Sequence, residues 1–157
     1  MSKVEVITYD KKFLPEFVSL NQQWIEHYFK LEQMDIQQLN DPEGTILNHG
    51  GEIFFVVEDG KAVGTCAMVA HGDNAYELAK MAVSPDVRGK GYGNLLMEVA
   101  IGWARSKGID GIMLLSNTVL EPAIALYIKY GFQVISLGTH PDYARCNIQM
   151  ALYLKDD

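Results

Sequence analysis

The stretch that decides the fold runs from Glu77 to Leu96 and reads ELAKMAVSPDVRGKGYGNLL. The residues from Tyr76 to Val83 predict a strand that ends at Ser84-Pro85. A glycine-rich turn follows and opens directly into an amphipathic helix from Gly91 to Lys107. Because the first amides of a helix have no partners within the helix, this order predicts an anion-binding turn.

The turn itself, from Arg88 to Gly93, adds to the positive potential of the helix N-terminus. Glycines let the backbone come close to a phosphate and take conformations that other residues resist. The helix dipole places partial positive charge at the same point, and Arg88 and Lys90 add full charges. A tight strand-to-helix turn without a ligand is the alternative interpretation.

Two other phosphate-binding loops are excluded by their spacing. A P-loop needs Gly-x-x-x-x-Gly-Lys-Ser/Thr, which the chain lacks. A dinucleotide-binding turn needs glycine at the sixth position of Gly-x-Gly-x-x-Gly. Counted from Gly89 that position is Asn94, and counted from Gly91 it is Leu96. The pattern that remains is Arg-x-x-Gly-x-Gly.

The rest of the chain predicts helices and strands on both sides of this stretch. Before it, we expect a strand at Val4 to Tyr9, a helix at Lys11 to Tyr28, a weaker helix at Leu31 to Leu47 broken near Pro42, and strands at Glu52 to Glu58 and Ala62 to Ala70. After it, we expect a strand at Gly111 to Leu115, a helix at Pro122 to Tyr130, and strands at Phe132 to Leu137 and Cys146 to Leu154. This order predicts an α+β fold, a mixed sheet of about seven strands flanked by about four helices.

The composition is that of one globular domain spanning residues 1–157. Apolar residues make up 48%, and no apolar run approaches the roughly 20 residues of a membrane helix. The N-terminus lacks the apolar core of a signal peptide. Cys66 and Cys146 lie in apolar, strand-like runs, as buried thiols of a reducing compartment do. We therefore expect a cytoplasmic protein with no membrane partner.

The distribution of charge along the chain indicates which kinds of partner it could bind. A net charge of −7 argues against nucleic acid, because phosphate backbones require clustered Lys and Arg. The segment from Lys80 to Lys107 is nevertheless positive. One basic segment in an acidic chain suggests a single anionic ligand, and the acidic remainder could attract a cationic co-substrate. Charges that merely solvate the surface are the alternative.

A family resemblance joins these observations. The turn Arg88 to Gly93 resembles the pyrophosphate-binding signature, Arg/Gln-x-x-Gly-x-Gly/Ala, of the GNAT superfamily of N-acetyltransferases. Asn117 and the run Pro122 to Phe132 resemble that family's Asn … Ala … Leu-Tyr … Gly-Phe segment. The order of elements is also similar, so the resemblance spans nearly the whole chain, with specific motifs from Glu77 to Phe132. It implies a GNAT-like acyl-CoA N-acyltransferase fold and acetyl-CoA as co-substrate, with no metal.

The resemblance also implies where acetyl-CoA binds. Backbone amides should hold the pyrophosphate along Val87, Arg88, Gly89, Lys90, Gly91, Tyr92, Gly93 and Asn94. The pantetheine arm should pair, as if it were a further strand, with Met81, Ala82 and Val83. An amide there should polarise the thioester carbonyl. Asn117 should hydrogen-bond the arm or an ordered water, with capping of a turn as the alternative.

Glu77 is the candidate general base. An alkylamine has a pKa of about 10.4 and is mostly protonated at neutral pH, so a group must accept its proton. Counted back from the glycine turn, Glu77 stands where several GNAT members carry a catalytic glutamate, and it would act directly or through a water. A solvated carboxylate, or an ion pair with Lys80 or an arginine, is the alternative. Alternation places Glu77 on the face of Ala79 and Met81 unless the strand contains a bulge.

Tyr127 is the candidate general acid. Its place in Leu126-Tyr127 matches the GNAT tyrosine that points at the sulfur. A thiol has a pKa near 8.5 and a phenol near 10, so tyrosine can hand a proton to a nascent thiolate with modest driving force. A core tyrosine on a helix is the alternative.

The sequence gives little support to a metal site or to a covalent nucleophile. The four histidines, His27, His49, His71 and His140, share no metal-ligand spacing, and neither cysteine has a local partner for a catalytic triad. Candidate contacts for the acceptor are Trp24, Tyr28, Phe29 and Glu32, together with the segment His140 to Arg145. Glu26 and Glu32 could receive a cation, but a solvated helix surface is the favoured interpretation of both.

These residues predict an N-acetyltransferase that moves the acetyl group of acetyl-CoA to a primary amine of a small molecule or peptide by direct attack in a ternary complex. A non-catalytic acyl-CoA sensor is the alternative, and a nucleotide-binding domain without acyl chemistry is a third. The pair Glu77 and Tyr127 favours the enzyme, since a sensor needs neither group. The sequence does not choose the acceptor, and it leaves a homodimer open.

Overall fold

The computed structural model describes residues 3–72, 74–139 and 144–154. Its strands are β1 (Val4–Thr8), β2 (Glu52–Glu58), β3 (Lys61–Ala70), β4 (Ala75–Val83), β5 (Gly111–Ser116), β6 (Gln133–Leu137) and β7 (Ile148–Tyr153). They form one seven-stranded sheet in the order β1-β2-β3-β4-β5-β7-β6. β4 and β5 are parallel and the other neighbours are antiparallel. The predicted mixed sheet is therefore confirmed.

Five helices accompany the sheet within the described ranges. They are α1 (Leu14–Tyr28), α2 (Gln33–Asn40), α3 (Pro42–Thr45), α4 (Tyr92–Ser106) and α5 (Glu121–Lys129). The predicted weak helix from Leu31 to Leu47 is divided into α2 and α3, as the break near Pro42 indicated. The reason is local: Pro42 lies in the first turn of α3, and the Asp41 carboxylate caps that turn by accepting from the Gly44 amide at 3.0 Å.

The ends of the predicted elements shift by one to three residues. The last strand begins at Ile148 instead of Cys146, and α4 begins at Tyr92 instead of Gly91 because Gly91 has a left-handed backbone, with φ of 83°. Cys146 is buried but lies outside the strand in which we expected it.

The core lies on both faces of the sheet. Along β2, Phe54 and Val56 pack in the cluster that α4 covers, while Phe55 and Val57 pack in the cluster that contains Phe17 of α1. Successive side chains of a strand point to opposite faces, so a strand covered on both faces reads as a continuous apolar run. That is why β2 shows no alternation in sequence.

A bulge in β4 positions the site. Thr65 pairs with Ala82 and Ala67 pairs with Ala79, so β4 carries one residue more than β3 over this interval. Lys80 takes a left-handed backbone, with φ of 53°. As a result, Ala79 packs against the α1 cluster whereas Met81 packs against the α4 cluster. Strict alternation, which would have kept Ala79 and Met81 on one face, does not hold.

Candidate active site

The candidate site is a cavity of about 500 Å³ at the point where β4 and β5 separate. The two parallel strands pair only from Ala75–Gly111 to Glu77–Met113, although β4 continues to Val83 and β5 to Ser116. The far ends of both strands and α5 line the space, together with α1 and the glycine turn. The predicted site residues that line it are Glu77, Met81, Ala82, Val83, Arg88, Gly89, Asn117 and Tyr127.

The glycine turn presents unsatisfied amides beside this cavity. Gly89 and Gly91 have φ values of 85° and 83°, which favour glycine, and a Cβ added at either would meet no atom within 4 Å. Within the described residues, the backbone N–H groups of Gly89, Gly91, Tyr92, Gly93 and Asn94 have no hydrogen-bond acceptor. The exposed Arg88 lines the cavity mouth. A row of free amides with an adjacent guanidinium suits an anion.

Several side chains of the predicted cofactor-binding residues form contacts within the protein instead. The Tyr92 hydroxyl donates to the Glu58 carboxylate, and Lys90 Nζ lies 3.0 Å from Glu58 Oε2. Val87 is buried in the core. The side-chain oxygen of Asn94 accepts from Lys129 and Tyr130, at 2.6 and 3.0 Å. Only the backbones of Tyr92 and Asn94 are left to face a phosphate, and Lys90 already has a counter-charge.

The far part of β4 offers a free strand edge. Ala82 and Val83 pair with β3 on one side, while the side toward β5 has no strand partner beyond Glu77 among the described residues. Met81, Ala82 and Val83 all line the cavity. An extended ligand could therefore add to this edge in the manner of a strand.

Glu77 lines the cavity and is paired with a histidine. The residue is 8% exposed, and its Oε1 lies 2.7 Å from Nε2 of His71. The hydrogen bond to Glu77 raises the pKa of His71 above its ordinary value, while partial burial acts in the opposite direction. The hydrogen-bonded partner of Glu77 is thus His71, while Lys80, one of the cations considered as a partner of Glu77, interacts with it electrostatically.

Tyr127 lies on α5 and lines the cavity. Its ring packs against Phe132 at a centroid distance of 6.1 Å, and the hydroxyl has no hydrogen-bond partner among the described residues. Burial raises the pKa of Tyr127 to about 12. The phenol therefore stays protonated at every physiological pH and is available as a proton donor.

Asn117 is occupied by the turn that follows β5. Its Nδ2 donates to the carbonyl oxygen of Arg145 at 2.7 Å, and its Oδ1 accepts from the amide of Val119 at 2.9 Å. This is the turn-capping arrangement that we held as the alternative. Contact with a pantetheine arm stays a prediction, since Asn117 also lines the cavity.

Sequence reasoning missed a buried ionic network on the cavity wall. Lys80 Nζ lies 2.7 Å from Oδ1 of Asp35, and Arg145 forms a two-pronged contact with the same carboxylate. Glu32 accepts from Arg145 as well, at 3.3 Å. Burial alone would raise the pKa of Asp35, but the hydrogen bonds from Arg145 and Lys80 hold it below its ordinary value.

The network corrects the charge argument made from the sequence. Lys80 is 6% exposed and paired with Asp35, so it does not contribute a free charge to the basic segment. No spacing rule links Asp35 to Lys80, which lie 45 positions apart. The only signal was the position of a lysine in a largely apolar strand.

The structure places some of the candidate acceptor contacts at the cavity and others away from it. Trp24, Tyr28 and Phe29 line the cavity, whereas Glu32 is tied to Arg145 and Glu26 lies on the exposed surface. Of the predicted segment from His140 to Arg145, Arg145 lines the cavity, and residues 140–143 lie outside the described residues.

Three further features limit the chemistry. Among the described residues, no group of three His, Cys, Asp or Glu side chains could hold a metal ion. Burial raises the pKa of Cys66 to about 12 and that of Cys146 to about 11, so neither thiol is an activated nucleophile. Over the same ranges, the helices are too short or too polar to cross a bilayer.

Comparison with known proteins bears on both sequence and fold. A family model described as an acetyltransferase (GNAT) domain matches residues 50–134. An uncharacterized N-acetyltransferase, YjgM, of Escherichia coli strain K12 is 33% identical over 103 residues, which are 63% of this chain and 58% of that protein. The chain spans about half the length of three of the curated relatives it matches, 52–58% of each.

Solved structures share the fold at low sequence identity. A GNAT-family acetyltransferase of Staphylococcus aureus Mu50 has a TM-score of 0.88 at 24% identity and covers 98% of this chain and 100% of its own. The PaiA N-acetyltransferase of Thermoplasma acidophilum, solved in complex with coenzyme A, has a TM-score of 0.76 at 16% identity, covering 97% and 99%. These likenesses show the fold.

Proposed function

The chain belongs to the GNAT acetyltransferase family, and from that premise we propose that it transfers the acetyl group of acetyl-CoA to a primary amine of a small molecule or peptide. The attack would be direct, within a ternary complex. One observation carries the proposal: a single cavity joins Glu77, Tyr127 and the free edge of β4 to the mouth of the glycine turn.

The residues fit the co-substrate that the family implies. The free amides of Gly89 and of Gly91 to Asn94 would hold the pyrophosphate, with Arg88 beside it. The unpaired edge at Met81 to Val83 would hold the pantetheine arm by strand-like hydrogen bonds. Acetyl-CoA supplies the activated acyl group as a thioester, and the β4 edge would orient its carbonyl.

Glu77 would remove a proton from the acceptor. An ammonium nitrogen has no free electron pair, so a carboxylate on the cavity wall that accepts one proton makes it a nucleophile. Glu77 is largely shielded from bulk water yet faces the cavity, which suits this role. The aromatic side chains of Trp24, Tyr28 and Phe29 would hold the carbon skeleton of the amine.

Tyr127 would donate the proton that the leaving thiolate needs. Its hydroxyl has no partner among the described residues. Burial raises the pKa of Tyr127 to about 12, so the phenol is protonated beforehand but is a weak acid, and it would donate as the carbon–sulfur bond breaks. An acyl-CoA sensor would need no such pair of groups in one cavity, and the comparisons do not favour that alternative.

The test is release of free thiol from acetyl-CoA with a panel of amines: polyamines, amino acids, aromatic amines and peptide N-termini. We expect at least one amine to give turnover, with the acetylated product found by mass spectrometry. Acetyl-CoA that binds without turnover on any amine would refute the enzyme and support the sensor.

A further inference from the structure

Acetylation of an amine produces a proton that must leave the cavity. An alkylammonium enters with three hydrogens on nitrogen and leaves as an amide with one. One proton ends on the thiol of coenzyme A, and the other must reach solvent in every turnover. Glu77 is 8% exposed, so it needs a group that carries this proton away.

His71 occupies the position between Glu77 and solvent. It directly follows β3, where its amide donates to the Ala75 carbonyl at 2.8 Å and closes the β3–β4 turn. Its Nε2 lies 2.7 Å from Glu77 Oε1, and its side chain is 41% exposed against 11% for that of Glu77. Glu77 lines the cavity and His71 does not. The imidazole therefore joins the cavity wall to bulk water.

We propose that His71 is a positioning and relay residue that acts through Glu77 and carries the proton of the acceptor amine to solvent. The inference rests on the proposed function. The N–H bond of the ammonium breaks and its proton goes to the Glu77 carboxylate. The proton then moves to Nε2 of His71 in the tautomer with hydrogen on Nδ1, forming imidazolium. The imidazolium then loses its Nδ1 proton to water. Proton exchange with water returns hydrogen to Nδ1 and leaves Nε2 free to accept the next proton.

The surroundings of His71 support this role. Among the described residues, Glu77 of β4 is the charged side chain in contact with it. Lys80 on the same strand interacts electrostatically with Glu77 but is held by Asp35 of α2, and Cys146 also lies within range of Glu77. The hydrogen bond to Glu77 raises the pKa of His71 above its ordinary value, while partial burial acts in the opposite direction.

Two variants separate a relay from a purely structural contact. His71→Gln keeps a side-chain donor for Glu77 but has no titratable nitrogen, while His71→Ala leaves room for free imidazole. His49→Gln, at an exposed histidine before β2, is the matched control. We expect both His71 variants to lose about tenfold or more in kcat with an unchanged melting shift on acetyl-CoA. Free imidazole should restore the rate of His71→Ala.

The pH profile and an NMR titration complete the test. The acidic limb of kcat in the wild type should follow the titration of His71, whose pKa the hydrogen bond to Glu77 raises, and His71→Gln should no longer show it. By NMR, the His71 midpoint should fall in Glu77→Gln, a measurement that needs no turnover. Wild-type kcat and pH profile in His71→Gln, or no imidazole rescue of His71→Ala, would overturn the relay alone. A wild-type chain without transfer to any amine would overturn both the relay and the proposed function.

Discussion

At the scale of single residues, Tyr127 offers the sharpest test of the chemistry. We expect Tyr127→Phe to lower kcat by about 10- to 100-fold, because the ring still packs on Phe132 while the proton donor is lost. Affinity for acetyl-CoA should change little. Tyr153→Phe is the control, since Tyr153 is an exposed tyrosine at the end of β7. Turnover at the wild-type rate in Tyr127→Phe would exclude this residue as the acid.

Asp35 is the residue on which the buried network depends. Asp35→Asn should destabilise the fold by about 3–5 kcal/mol, because it leaves Lys80 and Arg145 without their shared counter-charge in a buried site. Denaturant unfolding measures the loss, with Asp86→Asn at an exposed position as control. A loss as small as that of the control would mean that the network contributes nothing to stability.

The lowered pKa of Asp35 also predicts how the stability of the fold depends on pH. The folded-state pKa of Asp35 is lowered, so the unfolded chain binds more protons as the pH falls. The contribution of Asp35 is therefore complete above its unfolded pKa of about 3.9 and is lost as the pH falls through the lower folded value. Asp35→Asn should flatten the acid side of the stability curve, and a wild-type slope in that variant would contradict the assignment.

At the scale of elements, the glycine turn distinguishes two cations that the sequence treated alike. Arg88 lines the cavity mouth, whereas Lys90 is paired with Glu58 on β2. We expect Arg88→Ala to weaken acetyl-CoA binding by about tenfold and to reduce its sensitivity to salt. Lys90→Ala, the matched control, should have a much smaller effect. Calorimetric titration at two ionic strengths compares them, and equal losses would contradict the placement of the phosphates.

The elements also show what a sequence can and cannot predict. β2 and α4 were predictable because the local sequence encodes the spacing of the apolar residues, the turn residues and the residues that cap helices. The bulge at Lys80 was not, since neither glycine nor proline marks it. The contacts of Glu77 with His71 and of Asp35 with Lys80 depend on how the chain packs, and no local pattern specifies them. The cofactor turn was therefore readable, while the partners of the acidic residues were not.

At the scale of the whole molecule, binding of acetyl-CoA should raise the free energy of unfolding of the entire domain. A ligand at 100 times its Kd adds about 2.7 kcal/mol, which for a domain of this size corresponds to a rise in Tm of roughly 5–10 °C. Thermal unfolding with increasing acetyl-CoA measures the shift.

NAD at the same concentration is the control ligand, and it should give a smaller shift than acetyl-CoA. Asn94 and Leu96 stand where a dinucleotide-binding turn requires glycine. The chain carries a net charge of −7, so a general attraction of anions to its surface cannot account for binding. A shift should therefore come from the local site, that is, the amides of the glycine turn, Arg88 and the free edge of β4, and it should shrink in Arg88→Ala. An equal shift with NAD, or none with millimolar acetyl-CoA, would contradict the assignment of this turn to coenzyme A.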